Sequence, residues 1–113
     1  MPNSGVADAG RALCQRVLIC NKKGLHARAS ARFVRTVECY DAEINVIKDG
    51  VTVAGTSIMG LMMLGAGPGS TIFITARGSQ AREALESLVD LVSCGFDEDA
   101  ESGEQAEGVG EAP

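Results

Sequence analysis

The sequence predicts an α+β open sandwich in the order βαββαβα, with one face of a four-stranded sheet covered by helices and the other partly solvated. Three observations carry this expectation. The hydrophobic period switches repeatedly between about 2 and about 3.6 residues along the chain. Asp49-Gly50 joins two β-branched runs in the manner of a two-residue hairpin turn. The 113 residues fall within the roughly 100 to 200 of a single domain, so one core is expected.

Residues 13–20 alternate, with Gln15, Val17 and Ile19 on one face and Arg16, Leu18 and Cys20 on the other, and form the first predicted strand. Over residues 27–39 the period becomes helical. Ser30, Phe33, Val34 and Val37 follow an i, i+3, i+4, i+7 stripe opposite Arg28, Arg32 and Arg35, which gives a helix apolar on one side and basic on the other. Residues 43–48 and 51–54 are β-branched runs, and the Asp49-Gly50 link between them supplies the positive φ that a tight hairpin needs. Residues 57–64 open with a capping serine and continue with unbranched helix formers, so a short helix ending near Gly65 is expected. After the Gly-Pro turn at 67–69, residues 71–76 read as a fourth strand. Residues 79–92 then read as a helix burying Ala81, Leu85, Leu88 and Val92.

The two ends have a different composition. Residues 1–10 and the acidic run 97–113 hold too little apolar surface to offset the entropy of ordering, so both are expected to be disordered around a domain at 11–96. No function is assigned to the acidic tail. Seven of the fifteen acids lie in it, with no Lys or Arg, so residues 1–96 carry ten basic against eight acidic groups, a net of +2. Six of the basic residues fall between Arg16 and Arg35, where there is no acid. No apolar run approaches the roughly 18 residues of a spanning helix, and the N-terminus lacks the order of a signal peptide, so a cytoplasmic protein without membrane insertion is expected. Cys14, Cys20, Cys39 and Cys94 form no C-x-x-C pair and read as buried free thiols, giving neither a disulfide framework nor a zinc site.

His26 is the single histidine and stands at the strand-to-helix junction, at or beside the N-cap of the first helix. The first amides of that helix, those of Ala27 and Arg28 among them, have no acceptor within the helix and mark the positive end of its dipole. A phosphate would fit there, next to an imidazole able to act as nucleophile, and the Arg28 guanidinium adds a planar donor for phosphoryl oxygens. The chain has no G-x-x-x-x-G-K-[ST] loop and no carboxylate pair to hold magnesium, so no cofactor or metal is expected. Any phosphate on His26 must come from another protein. Ser57 reads as the N-cap of the short helix, and Ile58, Met59 and Met62 belong to an apolar cluster too large for two turns to bury on one side.

These segments resemble one family, the histidine-containing phosphocarrier proteins (HPr) of the phosphoenolpyruvate-dependent phosphotransferase system. NKKGLHARASARFV is similar to the family's active-site segment and GTSIMGLMML to its regulatory-serine segment, and the 31 residues from His26 to Ser57 match its spacing. With GPGSTIFITARG and the last helix, the resemblance extends over about residues 13–95. It implies an open-faced βαββαβα sandwich with a four-stranded antiparallel sheet. It also implies that His26 takes a phosphoryl group from phosphorylated enzyme I and passes it to an enzyme IIA protein or domain, in sugar uptake or a nitrogen-related regulatory relay, assisted by Arg28. Ser57 would be the target of an HPr serine kinase/phosphorylase, and Ile58, Met59 and Met62 would dock partners alongside the basic face at Arg32 and Arg35. The family usually has proline where this chain has Ala29, and the acidic extension exceeds the usual family length.

A rival reading from another class is a non-catalytic ligand-sensing or partner-binding regulatory module on the same small fold. Incubation with phosphoenolpyruvate and enzyme I separates the two. Nucleic-acid binding is disfavoured by the short basic segment, the 4% aromatic content and the acidic tail.

Overall fold

The computed structural model describes residues 12–97. The expected disorder of residues 1–10 and of the acidic run beyond Asp97 therefore lies outside the described residues. Within them the elements are β1 (Leu13–Leu18), α1 (Ala27–Val37), β2 (Glu43–Lys48), β3 (Val51–Ala54), α2 (Ile58–Met63), β4 (Thr71–Arg77) and α3 (Ala81–Ser93), followed by one 3-10 turn at Gly95–Asp97. The predicted order βαββαβα is the order found.

The strands form a single sheet in the order β1-β4-β2-β3 with every neighbouring pair antiparallel. Val17 pairs with Ile72 and Val46 with Ile74, so the period of two aligns the apolar residues of three strands on one face. Val17, Ile44, Val46, Ile72, Ile74 and Ala76 are buried there, in one core with Phe33 of α1 and Leu88 of α3. Each such large side chain removed from water contributes about 1.5–3 kcal/mol. The opposite face leaves Arg16, Leu18 and Phe73 exposed. The sheet is open on that side, as a single layer of helices requires.

Local chemistry sets the boundaries. Asp49 and Gly50 have φ of 51° and 82°, the two positive values of a type I′ hairpin turn. The basic helix ends at Val37, where Glu38 caps it and Cys39 N–H turns back to Thr36 O. The last helix starts two residues later than its pattern suggests. Ser79 and Gln80 are held instead by Asp41: the Ser79 hydroxyl donates to its carboxylate, and Asp41 N–H donates to Gln80 Oε1 at 2.7 Å. The first strand stops at Leu18, although Ile19 still bonds Ser70 O and Gly69 N–H through its backbone.

The cysteines correct an expectation. All four are exposed, not buried. Cys14 lies on the alternate, outward positions of β1, Cys20 follows its end, and Cys39 and Cys94 come just after helices, where the apolar stripe has already turned away. Among the described residues no helix is long and apolar enough to cross a membrane.

Candidate functional site

His26 is the N-cap of α1, with φ −82° and ψ −174°, and its side chain makes no capping hydrogen bond. The first bond of the helix runs from Ser30 N–H to His26 O at 2.8 Å. The amides before it, on Ala27, Arg28 and Ala29, point out of the helix end beside the half-buried imidazole. An imidazole and an array of N–H donors therefore share one place. Arg28 is exposed in the first turn, and the buried Ala29 and Ser30 behind it anchor that turn to the core.

The approach to His26 is held by a web of short bonds. Asn21 Nδ2 donates to Gly24 O at 2.9 Å, His26 N–H to Gly24 O at 2.9 Å, and the Ser30 hydroxyl to Leu25 O at 3.3 Å. Leu25 N–H donates to Ala66 O at 2.9 Å, which ties the loop to the exit of α2. Gly24 makes this junction possible. Its φ is +63°, and a Cβ there would come within 2.1 Å of Ala66 O. Gly24→Ala is therefore expected to lose about 2 kcal/mol or more of stability, from left-handed strain and the forced separation of the two segments. Urea unfolding measures this, and a midpoint equal to wild type would mean that the loop relaxes freely.

Ser57 caps α2: its Oγ accepts from Gly60 N–H at 2.9 Å. The six residues of that helix bury only Leu61. Ile58, Met59, Met62 and Met63 remain exposed, Met59 at 72% and Met63 at 79%. An apolar patch of flexible side chains thus sits on a helix that packs on α1 and whose exit is bonded beside His26.

Residues 13–93 match a family model described as the PTS HPr component phosphorylation site. The chain belongs to the HPr family. It is 44% identical over 86 residues to the phosphocarrier protein HPr of Neisseria meningitidis serogroup A, covering 76% of this chain and 97% of that protein. It is 39% identical over 84 residues to the phosphocarrier protein NPr of Shewanella violacea, covering 74% and 92%. Among solved structures, an HPr from Bacillus anthracis superimposes with a TM-score of 0.70 at 46% identity, covering 74% of this chain and 99% of the other. HPr-C-His from Thermoanaerobacter tengcongensis does so with a TM-score of 0.73 at 41% identity, covering 76% and 97%. These relatives give the chain a phosphocarrier role in the phosphotransferase system and the open-faced sandwich fold.

Within this HPr-family frame, the sequence-predicted residues divide into groups. His26, Arg28 and the Ala27 amide meet at the start of α1, and Ile58, Met59 and Met62 lie together on α2. Arg32 and Arg35 lie elsewhere. They line a groove of about 320 Å³ with Thr36, Cys39, Leu91 and Asp97, between α1 and the end of α3. Two features escaped the sequence reading. Met63 is the most exposed large apolar residue of the patch and was signalled only by belonging to the same run. Asn21 is 2% exposed and locks the loop, a role that its polar side chain beside Lys22 and Lys23 gave no reason to expect. A further groove of about 330 Å³ between β1 and α3, lined by Leu13, Cys14, Arg82, Leu85 and Val89, contains neither His26 nor any residue of α2.

Proposed function

We propose that His26 is the phosphoryl carrier of this chain, accepting the group from phosphorylated enzyme I and delivering it to an enzyme IIA protein or domain in the cytoplasm. The observation that carries this reading is the half-buried imidazole at the N-terminus of α1, next to the outward-pointing amides of Ala27, Arg28 and Ala29. A ring nitrogen forms the N–P bond as the donor's bond to phosphorus breaks. The transition state is loose and roughly in line, so the chain's task is to position the ring and stabilise charge on the equatorial oxygens. Backbone amides and the exposed Arg28 do so without enclosing the phosphate. An open site suits a carrier, because a cage that held the phosphorylated form tightly would slow the onward transfer.

Partners dock on α2 and along the basic face of α1. Ile58, Met59 and Met62 supply an apolar contact, while Arg32 and Arg35 with Arg28 attract acidic surfaces and raise the encounter rate. Ser57 is the regulatory position, a substrate for an HPr serine kinase/phosphorylase. The test is incubation with labelled phosphoenolpyruvate and enzyme I. The expected product is a phosphoramidate, labile in acid and stable in base, that maps to the peptide holding His26. Label found on another residue, or no label, would refute the proposal.

Arg28→Ala is expected to slow transfer from enzyme I about tenfold, the value of a charge-assisted hydrogen bond to a phosphoryl oxygen. Because Arg28 is exposed, the melting temperature should change by no more than about 2 °C. Equal initial rates at limiting enzyme I would remove Arg28 from the site.

A further inference from the structure

The described residues end, after α3, beside a particular surface. Gly95, Phe96 and Asp97 all have left-handed backbone, with φ of 68°, 58° and 61°. Two of the three are not glycine, so the conformation is strained. It is held by the Phe96 ring, which is completely buried in the core, and by Gly95 lying against Asn21, where a Cβ would be 3.6 Å from the Asn21 Cβ. Asp97 consequently has a fixed place. Though exposed, it lines the groove formed by Arg32, Arg35, Thr36, Cys39 and Leu91, so the described residues end at that groove.

The segment that leaves is residues 98–113. It carries six acids, Glu98, Asp99, Glu101, Glu104, Glu107 and Glu111, and no Lys or Arg. The surface it leaves from has the opposite character. Arg28, Arg32 and Arg35 recur at helical spacing along α1, and the exposed Lys22 and Lys23 stand in the loop before it. From Arg35 to Arg28 is a rise of about 10 Å. An extended chain covers about 3.3 Å per residue, so the first four residues after Asp97 span that distance, and three of them are acidic.

We propose that the acidic segment 98–113 docks on the basic face of α1, starting in the Arg32–Arg35 groove and running towards His26. Each exposed ion pair is individually weak. Tethering compensates, because a chain leaving the groove itself keeps its acids at millimolar effective concentration over the arginines. The segment then covers part of the surface that an acidic partner would use. That consequence for transfer rests on the reading of His26 given above, whereas the contact itself does not.

The test uses the full-length chain and a full-length variant with the six acids replaced by their amides: Glu98→Gln, Asp99→Asn, Glu101→Gln, Glu104→Gln, Glu107→Gln and Glu111→Gln. Amide NMR spectra of the two proteins are expected to differ at Arg28, Arg32, Arg35 and Leu91 in low salt. These differences should vanish near about 0.5 M salt, where screening acts over only a few ångströms. They should not change on dilution. Coincident spectra along α1 would overturn the proposal, as would differences centred on the β1–α3 groove. Shifts that grow with protein concentration would do the same, since they would show the segment reaching a second copy. In parallel, the variant should accept phosphate from enzyme I about three- to tenfold faster at low salt and at the wild-type rate at high salt. Equal rates at both salts would overturn the claim that the segment covers the approach to His26. If neither protein is phosphorylated, the His26 reading fails while the spectra still decide the contact.

Discussion

His26→Ala is expected to accept no phosphoryl group from phosphoenolpyruvate and enzyme I while melting within about 2 °C of wild type. The loss should be complete because the chain has one histidine, and the Ser30 hydroxyl in the same turn is buried and donates to Leu25 O. Cys39 follows the opposite end of that helix, and its thiol donates to Arg35 O. Retention of the fold follows from what His26 does not do. An N-cap side chain that accepts a helix amide is worth about 1 kcal/mol, but His26 makes no such bond. Its backbone bonds, N–H to Gly24 O and O from Ser30 N–H, are ones that alanine keeps. Its φ and ψ are those of extended chain that alanine adopts without strain. Retained label in the variant would sink the assignment. A lost label accompanied by a collapsed melt would instead show that the ring supports the loop.

How much of this was legible in the sequence follows from how local each signal is. The stripe Ser30, Phe33, Val34, Val37 is long and strictly periodic, and all four residues are buried as it requires. Asp49-Gly50 encodes its turn within two residues, and Ser57 its cap within four. The place of His26 was equally readable, since a helix start is a local event. What escaped depends on distant partners. Ser79 and Gln80 look like a helix entry until Asp41, far earlier in the chain, takes their polar groups. Arg32 and Arg35 lie on the polar face as expected, yet that face does not point wholly to open solvent. Leu91 and Asp97 from the other end of the chain close it into a groove, and no periodicity within α1 announces them. The cysteines failed for a simpler reason. Cysteine is apolar enough to be counted with a core stripe, but Cys14 and Cys20 alternate with the buried Val17 and Ile19 face, and Cys39 and Cys94 come after their helices have ended.

Ser57→Asp is expected to slow transfer from enzyme I about a hundredfold with little loss of stability. The cap geometry explains the second half. Ser57 Oγ accepts the Gly60 N–H, and a carboxylate at that position accepts the same donor, as Asp does at many helix starts. A phosphate brings about −1.5 to −2 charges and several acceptor oxygens to the same amide, so it too is tolerated locally. Ser57→Ala, which only removes the acceptor, should cost about 1 kcal/mol and leave transfer near wild type. The first half concerns the partner. Ile58 follows Ser57 directly, and Met59, Met62 and Met63 complete an exposed apolar patch on the same short helix. Under the docking proposed above, a charge at its edge would be stripped of water when a partner covers the patch, and it would stand against acidic groups that the arginines of α1 would attract. Desolvation and like-charge repulsion together cost a few kcal/mol, and each 1.4 kcal/mol is tenfold. The decisive comparison is between Ser57→Asp, Ser57→Ala and genuinely phosphorylated protein, in a transfer assay run beside thermal melts. Wild-type rates for both charged forms would defeat the docking argument. Slow transfer with a lowered melt would locate the effect in the fold of α2, because the serine variant that lacks only the cap sets how much of that loss is structural.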